Sequence, residues 1–219
     1  MTDQARVRTA PASGAGGAAR PGAPGLDVAA LVARARAATG PDGRFVPGDV
    51  TGWETFPFER EGLRFRELGD PVVPEPPRHD EDAATCARCA RPDDLFAWTD
   101  DAWRVGARGP VSVPTLILER RAHGDLGDLD DEAAAGLGRM IVRVERALAA
   151  VPGVGRVHVQ RWGDGNGHLH VFFSARPEGM LQLRGLVMPL WTLHLPALPD
   201  DEWAAIVASV AARLDAGRT

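Results

Sequence analysis

The stretch Gly167-His168-Leu169-His170-Val171-Phe172-Phe173 decides how this 219-residue chain is read. Its alternation of polar and apolar residues predicts a β-strand with one face buried. His168, His170 and Phe172 project from one face, and Leu169, Val171 and Phe173 from the other. Two histidines side by side on an exposed strand face predict a site. The pair in Cys86-Ala87-Arg88-Cys89, with His123 between it and the strand, bears on what one of them is for.

Working outward, Arg156–Trp162 reads as the preceding strand, joined to His168–Ser174 as a hairpin across Gly163-Asp164-Gly165-Asn166-Gly167. Before it, Asp130 or Asp131 caps a helix whose apolar stripe is Leu137, Met140, Ile141, Val144 and Leu148. Leu95–Trp98 and Trp103–Val105 read as two strands turning at Thr99-Asp100-Asp101, and Val113–Leu118 as a third. A last helix carries Trp203, Ile206, Val207, Val210 and Leu214 at helical spacing. This order predicts an α+β domain over 81–219, an antiparallel sheet flanked by helices.

Residues 26–80 form an N-terminal extension. A short amphipathic helix is expected from Leu26 to Ala38, with Val28, Leu31, Val32 and Ala35 on one stripe. Aromatic anchors Phe45, Trp53, Phe56 and Phe58 follow, then a strand candidate at Leu63–Leu68 and an extended connector over Pro71–Pro77. Residues 1–25, rich in Ala, Gly and Pro, read as a disordered tail.

Composition narrows the function classes. A hydrophobic fraction of 44% suits an ordinary folded domain. No apolar run is long enough to span a bilayer, and the first residues lack a secretory core, so a cytoplasmic protein without a membrane partner is expected. A net charge of −5 argues against general nucleic-acid binding. All 25 basic residues are arginine, so a bound phosphate must be held by Arg, His or backbone N–H groups.

Cys86 and Cys89 are the only cysteines. Their two-residue spacer suits two thiolates on one zinc ion, with two further ligands drawn from His79, His123, His158, His168, His170 and His194. A redox pair would want a helix N-terminus after a strand, which does not precede Cys86. Two unligated thiols in a loop is the third possibility.

The order Cys86-x-x-Cys89, a strand ending Glu119-Arg120-Arg121-Ala122-His123, a helix, and then His168-Leu169-His170-Val171-Phe172-Phe173 resembles the histidine triad (HIT-like) superfamily. It is similar to the zinc-bearing hydrolases and, more distantly, to galactose-1-phosphate uridylyltransferase. The resemblance covers about residues 84–178. It implies a structural zinc on Cys86, Cys89, His123 and His168, and four protein ligands leave no open position for catalysis. It also implies that His170 is the nucleophile, forming a covalent nucleotidyl-histidine on a nucleotide phosphate derivative that water or a second acceptor then cleaves. A homodimer is implied in the same way.

The remaining candidates surround that strand. The Gly163–Gly167 turn can offer backbone N–H groups at Gly165 and Gly167, and Asn166 a side-chain donor, to phosphate oxygens. The departure is Phe172, where family hydrolases place a third His and the uridylyltransferases a Gln. A phenyl ring donates no proton, and losing one positioned donor costs about 10²–10⁴ in rate. A good leaving group needs less help. Gln160 and His158 on the preceding strand, and Arg176 or Arg184 beyond the triad strand, are candidate substitutes. Retention of His170 favours a nucleotidyl hydrolase or transferase. The alternative is a zinc-stabilised nucleotide-binding or interaction module without turnover.

Overall fold

The computed structural model describes residues 25–41, 76–185 and 188–217. The expected tail up to residue 24, the anchors Phe45, Trp53, Phe56 and Phe58, the strand at Leu63–Leu68 and the connector as far as residue 75 lie outside them.

Within the described residues the elements are α1 (Val28–Ala37), β1 (Trp98–Thr99), β2 (Trp103–Arg108), β3 (Thr115–Arg120), α2 (Asp131–Ala149), β4 (Val154–Gln160), β5 (His170–Pro177), α3 (Met188–Thr192) and α4 (Asp200–Ala216). The five strands form one antiparallel sheet in the order β1-β2-β3-β5-β4. The molecule is α+β, an antiparallel sheet with flanking helices.

Period-two alternation sorts the sheet into two faces. Val105, Leu116, Leu118, Val171, Phe173 and Ala175 lie on one, all buried in the main core. The helices close over it. Asp130 caps α2 by accepting from the Ala133 N–H at 2.7 Å, and the helix presents Leu137, Met140, Val144 and Leu148. Helix α4 presents Trp203, Ile206, Val210 and Leu214, and Arg143 of α2 donates to the Leu214 carbonyl at 2.8 Å. Each large apolar side chain buried here contributes about 1.5–3 kcal/mol.

The other face carries Arg104, Glu119, Thr115, Gln160, His170, Phe172 and Ser174, set side by side by the register Arg104↔Glu119↔His170, Thr115↔Ser174 and Gln160↔Phe172. A smaller cluster of Ala35, Val113, Leu183, Met188 and Leu195 packs separately from the main core. Leu26 belongs to the main core, and its N–H donates to the Pro152 carbonyl at 2.6 Å. Gly153, at φ 82°, permits that approach, because a Cβ there would lie 1.8 Å from the Leu26 oxygen.

Several boundaries move from their expected places, each for a local reason. The first strand is confined to Trp98–Thr99, because Pro92 and the acidic pair after it wind Asp93–Leu95 into a single 3₁₀ turn. The third begins at Thr115, after Pro114, whose nitrogen cannot donate to a ladder. The triad strand begins at His170: the Leu169 N–H goes to the Gly124 carbonyl at 2.8 Å and the His168 N–H to the Asn166 side chain at 2.9 Å. No helix among the described residues is long and apolar enough to cross a membrane.

Candidate metal centre and the neighbouring cavity

Cys86, Cys89, His123 and His168 converge from three separate segments, their ligand atoms all within 4.8 Å of one another. His168 Nδ1 lies 3.4 Å from Cys86 Sγ and 3.5 Å from Cys89 Sγ, and His123 Nδ1 lies 3.6 Å from Cys89 Sγ. A tetrahedral zinc with ordinary Zn–S and Zn–N bonds sets sulfur and nitrogen ligands about 3.5 Å apart. The spacing fits that ion.

The tautomers agree. His168 Nε2 is 2.7 Å from the Arg120 carbonyl and His123 Nε2 is 3.2 Å from the Glu81 carbonyl. A carbonyl only accepts, so each Nε2 carries the proton and each Nδ1 presents a lone pair to the thiols. Burial holds His168 below the usual histidine range, in the neutral form a ligand needs. Burial and the adjacent Cys86 raise the Cys89 thiol to about 11 in the metal-free protein. Metal uptake must therefore release that proton.

A hydrogen-bonded frame holds the ligands. Asp80, with φ 53°, accepts from the Ala87 N–H between the two cysteines at 2.7 Å and from Asn166 Nδ2 at 2.6 Å. Asn166 Oδ1 in turn accepts from the His168 N–H. Arg88, also between the cysteines, pairs with buried Glu119, the cross-strand neighbour of His170, and Arg91 joins at 3.3 Å. Asp125 receives Arg78 at 2.7 Å and also Arg161. Burial pushes its carboxyl up, but bonds from Arg161, Arg78 and the Leu126 N–H outweigh that and hold it at about 2.

Both histidines of the strand are buried, His168 at 1% and His170 at 7% exposure, which corrects the expected exposed face. Cys86 and Cys89, in the segment from Arg78 to Arg91, lie against His168, and nothing near residue 168 in sequence announces that cover. Gly167 is the contact point: a Cβ there would lie 2.8 Å from the Glu81 Cα. His170 is held differently from His168. Its Nδ1 donates to the His168 carbonyl at 2.8 Å, which fixes the proton there and leaves Nε2 with a lone pair. Phe172 stands edge-on to it with centroids 5.3 Å apart.

Beyond Phe172 on the same face lies a cavity of about 340 Å³. Its wall includes Phe172, Gln160, Trp162, Thr115, Ser174 and Met188, with Arg108 as the sole charged residue among the described lining. That volume is in the range of small-ligand pockets.

The candidate binding residues therefore separate. Gln160 and Phe172 line the cavity; Asn166, Gly165, Gly167 and Arg176 do not. Both ends of the Asn166 amide are engaged by Asp80 and His168, the Gly167 N–H donates to the His79 carbonyl at 2.7 Å, and the Gly165 carbonyl accepts from the His79 N–H at 3.1 Å. Gly165 itself borders open space. Arg176 is buried and donates to the Pro177 carbonyl at 3.0 Å. His158 is held low by burial and by Arg176.

The sequence reading missed Asp80, Glu119, Arg108 and Trp162. The Asp80 and Glu119 contacts join residues distant in sequence, so no local spacing marks them. Arg108 and Trp162 carried a signal only in their strand-end positions.

No protein-family model and no curated protein matches the chain. Among solved structures it is similar to a histidine triad protein from Bradyrhizobium japonicum, at 21% identity over 55% of this chain and 90% of that one, with a TM-score of 0.47. A zinc-bound histidine triad family protein from Mycobacterium smegmatis is 16% identical over 63% of this chain and 100% of that one, TM-score 0.43. A uridylyltransferase mutant is 18% identical over 61% of this chain and 48% of that one, TM-score 0.40.

Proposed function

We propose that this protein is a HIT-like nucleotidyl hydrolase or transferase in which His170 becomes covalently nucleotidylated. The observation that carries the reading is the His170 ring. Nδ1 is engaged as the donor to the His168 carbonyl, so in the neutral imidazole Nε2 holds the lone pair that serves as nucleophile, on the face that leads, past Phe172, to the cavity.

In this reading the nucleoside occupies the cavity, with Trp162 and Phe172 offering ring faces and the Gln160 amide offering a donor and an acceptor. His170 Nε2 attacks the phosphorus, a P–N bond forms, and the bond to the leaving group breaks. Water then attacks the same phosphorus, the P–N bond breaks, and the nucleoside monophosphate departs, leaving neutral His170 after proton loss. A second acceptor in place of water makes the reaction a transfer. Phe172 supplies no proton, so the leaving group departs as its own anion, which favours acidic leaving groups.

Cys86, Cys89, His123 and His168 would hold zinc as a closed four-ligand site, supplying a cross-link between the cysteine loop and the sheet. One observation favours the alternative of a binding module without turnover: an apolar ring stands beside His170 where a hydrogen-bonding group would assist departure.

The test is turnover of nucleoside phosphoramidates, dinucleoside polyphosphates and nucleotide sugars by wild type and His170→Ala. The expected outcome is turnover by wild type, a loss of at least about 10⁴-fold in the variant, and unchanged zinc content. Equal rates for the two proteins contradict the assignment of His170. Binding without turnover by either supports the module.

A further inference from the structure

Arg108 is the one charge on the described wall of the cavity, and no carboxylate among the described residues pairs with it. Arg34, Arg78, Arg88, Arg91, Arg104, Arg121 and Arg161 each meet a carboxylate; of the described arginines that meet none, Arg108 is the one on the cavity wall. The Arg108 side chain has no hydrogen bond or ion pair among the described residues. The wall around it contains no carboxylate; the polar groups present are the hydroxyls of Ser112, Thr115, Ser174 and Thr192 and the Gln160 amide. A guanidinium at the exposed edge of such a wall can receive an anion carried by whatever fills the space.

The register gives its place relative to the reacting centre. His170 belongs to the row Arg104↔Glu119↔His170, and Arg108 to the row Arg108↔Thr115↔Ser174. The rows are four residues apart, about 13 Å along the strands, and Arg108 lies two strands from β5, about 10 Å across. Phe172 sits between the rows. A ligand that runs from His170 along this face past Phe172 is directed toward Arg108.

We propose that the nucleotide taken by this site carries a second anionic group on its nucleoside part, received by Arg108. The proposal rests on the nucleotide reading above and adds the substrate class. The anion is a phosphate on the sugar or an acidic group on the ring; a neutral nucleoside leaves the guanidinium facing a wall with no counter-charge.

The experiment is calorimetric binding to the zinc-loaded full chain and to Arg108→Gln. The probes are adenosine 5′-monophosphate against its 2′,5′- and 3′,5′-bisphosphates, and uridine 5′-monophosphate against orotidine 5′-monophosphate. Arg108 is exposed on the surface, so the variant should fold, and a melting curve checks this. At least one doubly anionic probe should bind about tenfold tighter than its parent, an advantage lost in Arg108→Gln and weakened by salt. A bisphosphate gain places the anion on the sugar, and an orotidine gain places it on the ring. Parents that bind with no gain for any doubly anionic probe, or a gain that survives in the variant, overturn the proposal and leave the nucleotide reading standing. No binding by any probe overturns both.

Discussion

The two ends of the sheet's polar face are built on opposite terms. At the Cys/His end most polar groups are engaged with one another: Asp80 with Ala87 and Asn166, Asn166 with His168, Glu119 with Arg88 and Arg91, Asp125 with Arg78 and Arg161. At the other end the hydroxyls of Ser112, Thr115 and Thr192 are used on neighbouring carbonyls, but the Arg108 guanidinium and the Gln160 amide, both on the cavity wall, have no hydrogen-bond partner among the described residues. Saturated hydrogen bonding fixes geometry, and spare capacity in a concave site is what a ligand can use. His170 stands at the boundary. One of its nitrogens belongs to the first end, and the other is left for the second.

The largest expected effect comes from breaking the Cys/His end at its ligands. Cys86→Ser, or zinc removal by a chelator, should destabilise the protein by on the order of 3 kcal/mol or more, a fall of about 10 °C in Tm. Thermal melts with and without added zinc, alongside elemental analysis, measure this. A variant as stable as wild type, with no zinc in either, would dissolve the comparison, since the Cys/His end would then have no metal to serve.

A smaller effect sharpens the same contrast. Asn166→Ala strands an Asp80 oxygen and the His168 N–H, at a cost of about 1–3 kcal/mol, and should weaken zinc binding roughly 10–100-fold. With saturating zinc its KM should stay unchanged. A raised KM with an unaltered melting curve would move Asn166 from the frame to the substrate.

Much of this was legible in the chain. Strand alternation around His170 placed its register face, the cysteine spacing predicted a metal-binding pair, and the family resemblance implied His123 and His168 as its further ligands, which the structure brings within 4.8 Å of both cysteines. What stayed hidden depends on contacts between distant segments. Cys86 and Cys89 lie against His168 from about 80 positions away, and the engagement of Asn166 requires Asp80, 86 positions away. A glycine-rich turn reads the same whether its N–H groups face a phosphate or, as Gly167 does here, a neighbouring carbonyl. Arg108 looked like one arginine among 25 until the cavity beside it was seen.

The central claim, that His168 is a ligand and His170 two residues later a nucleophile, is tested most directly by rapid acid-free quenching of the zinc-loaded protein during turnover and mass spectrometry of the peptide containing both. The account predicts a nucleotidyl adduct on His170, absent in His170→Ala and chased by water or acceptor. Turnover with no adduct at any time, or an adduct on another residue, would contradict it.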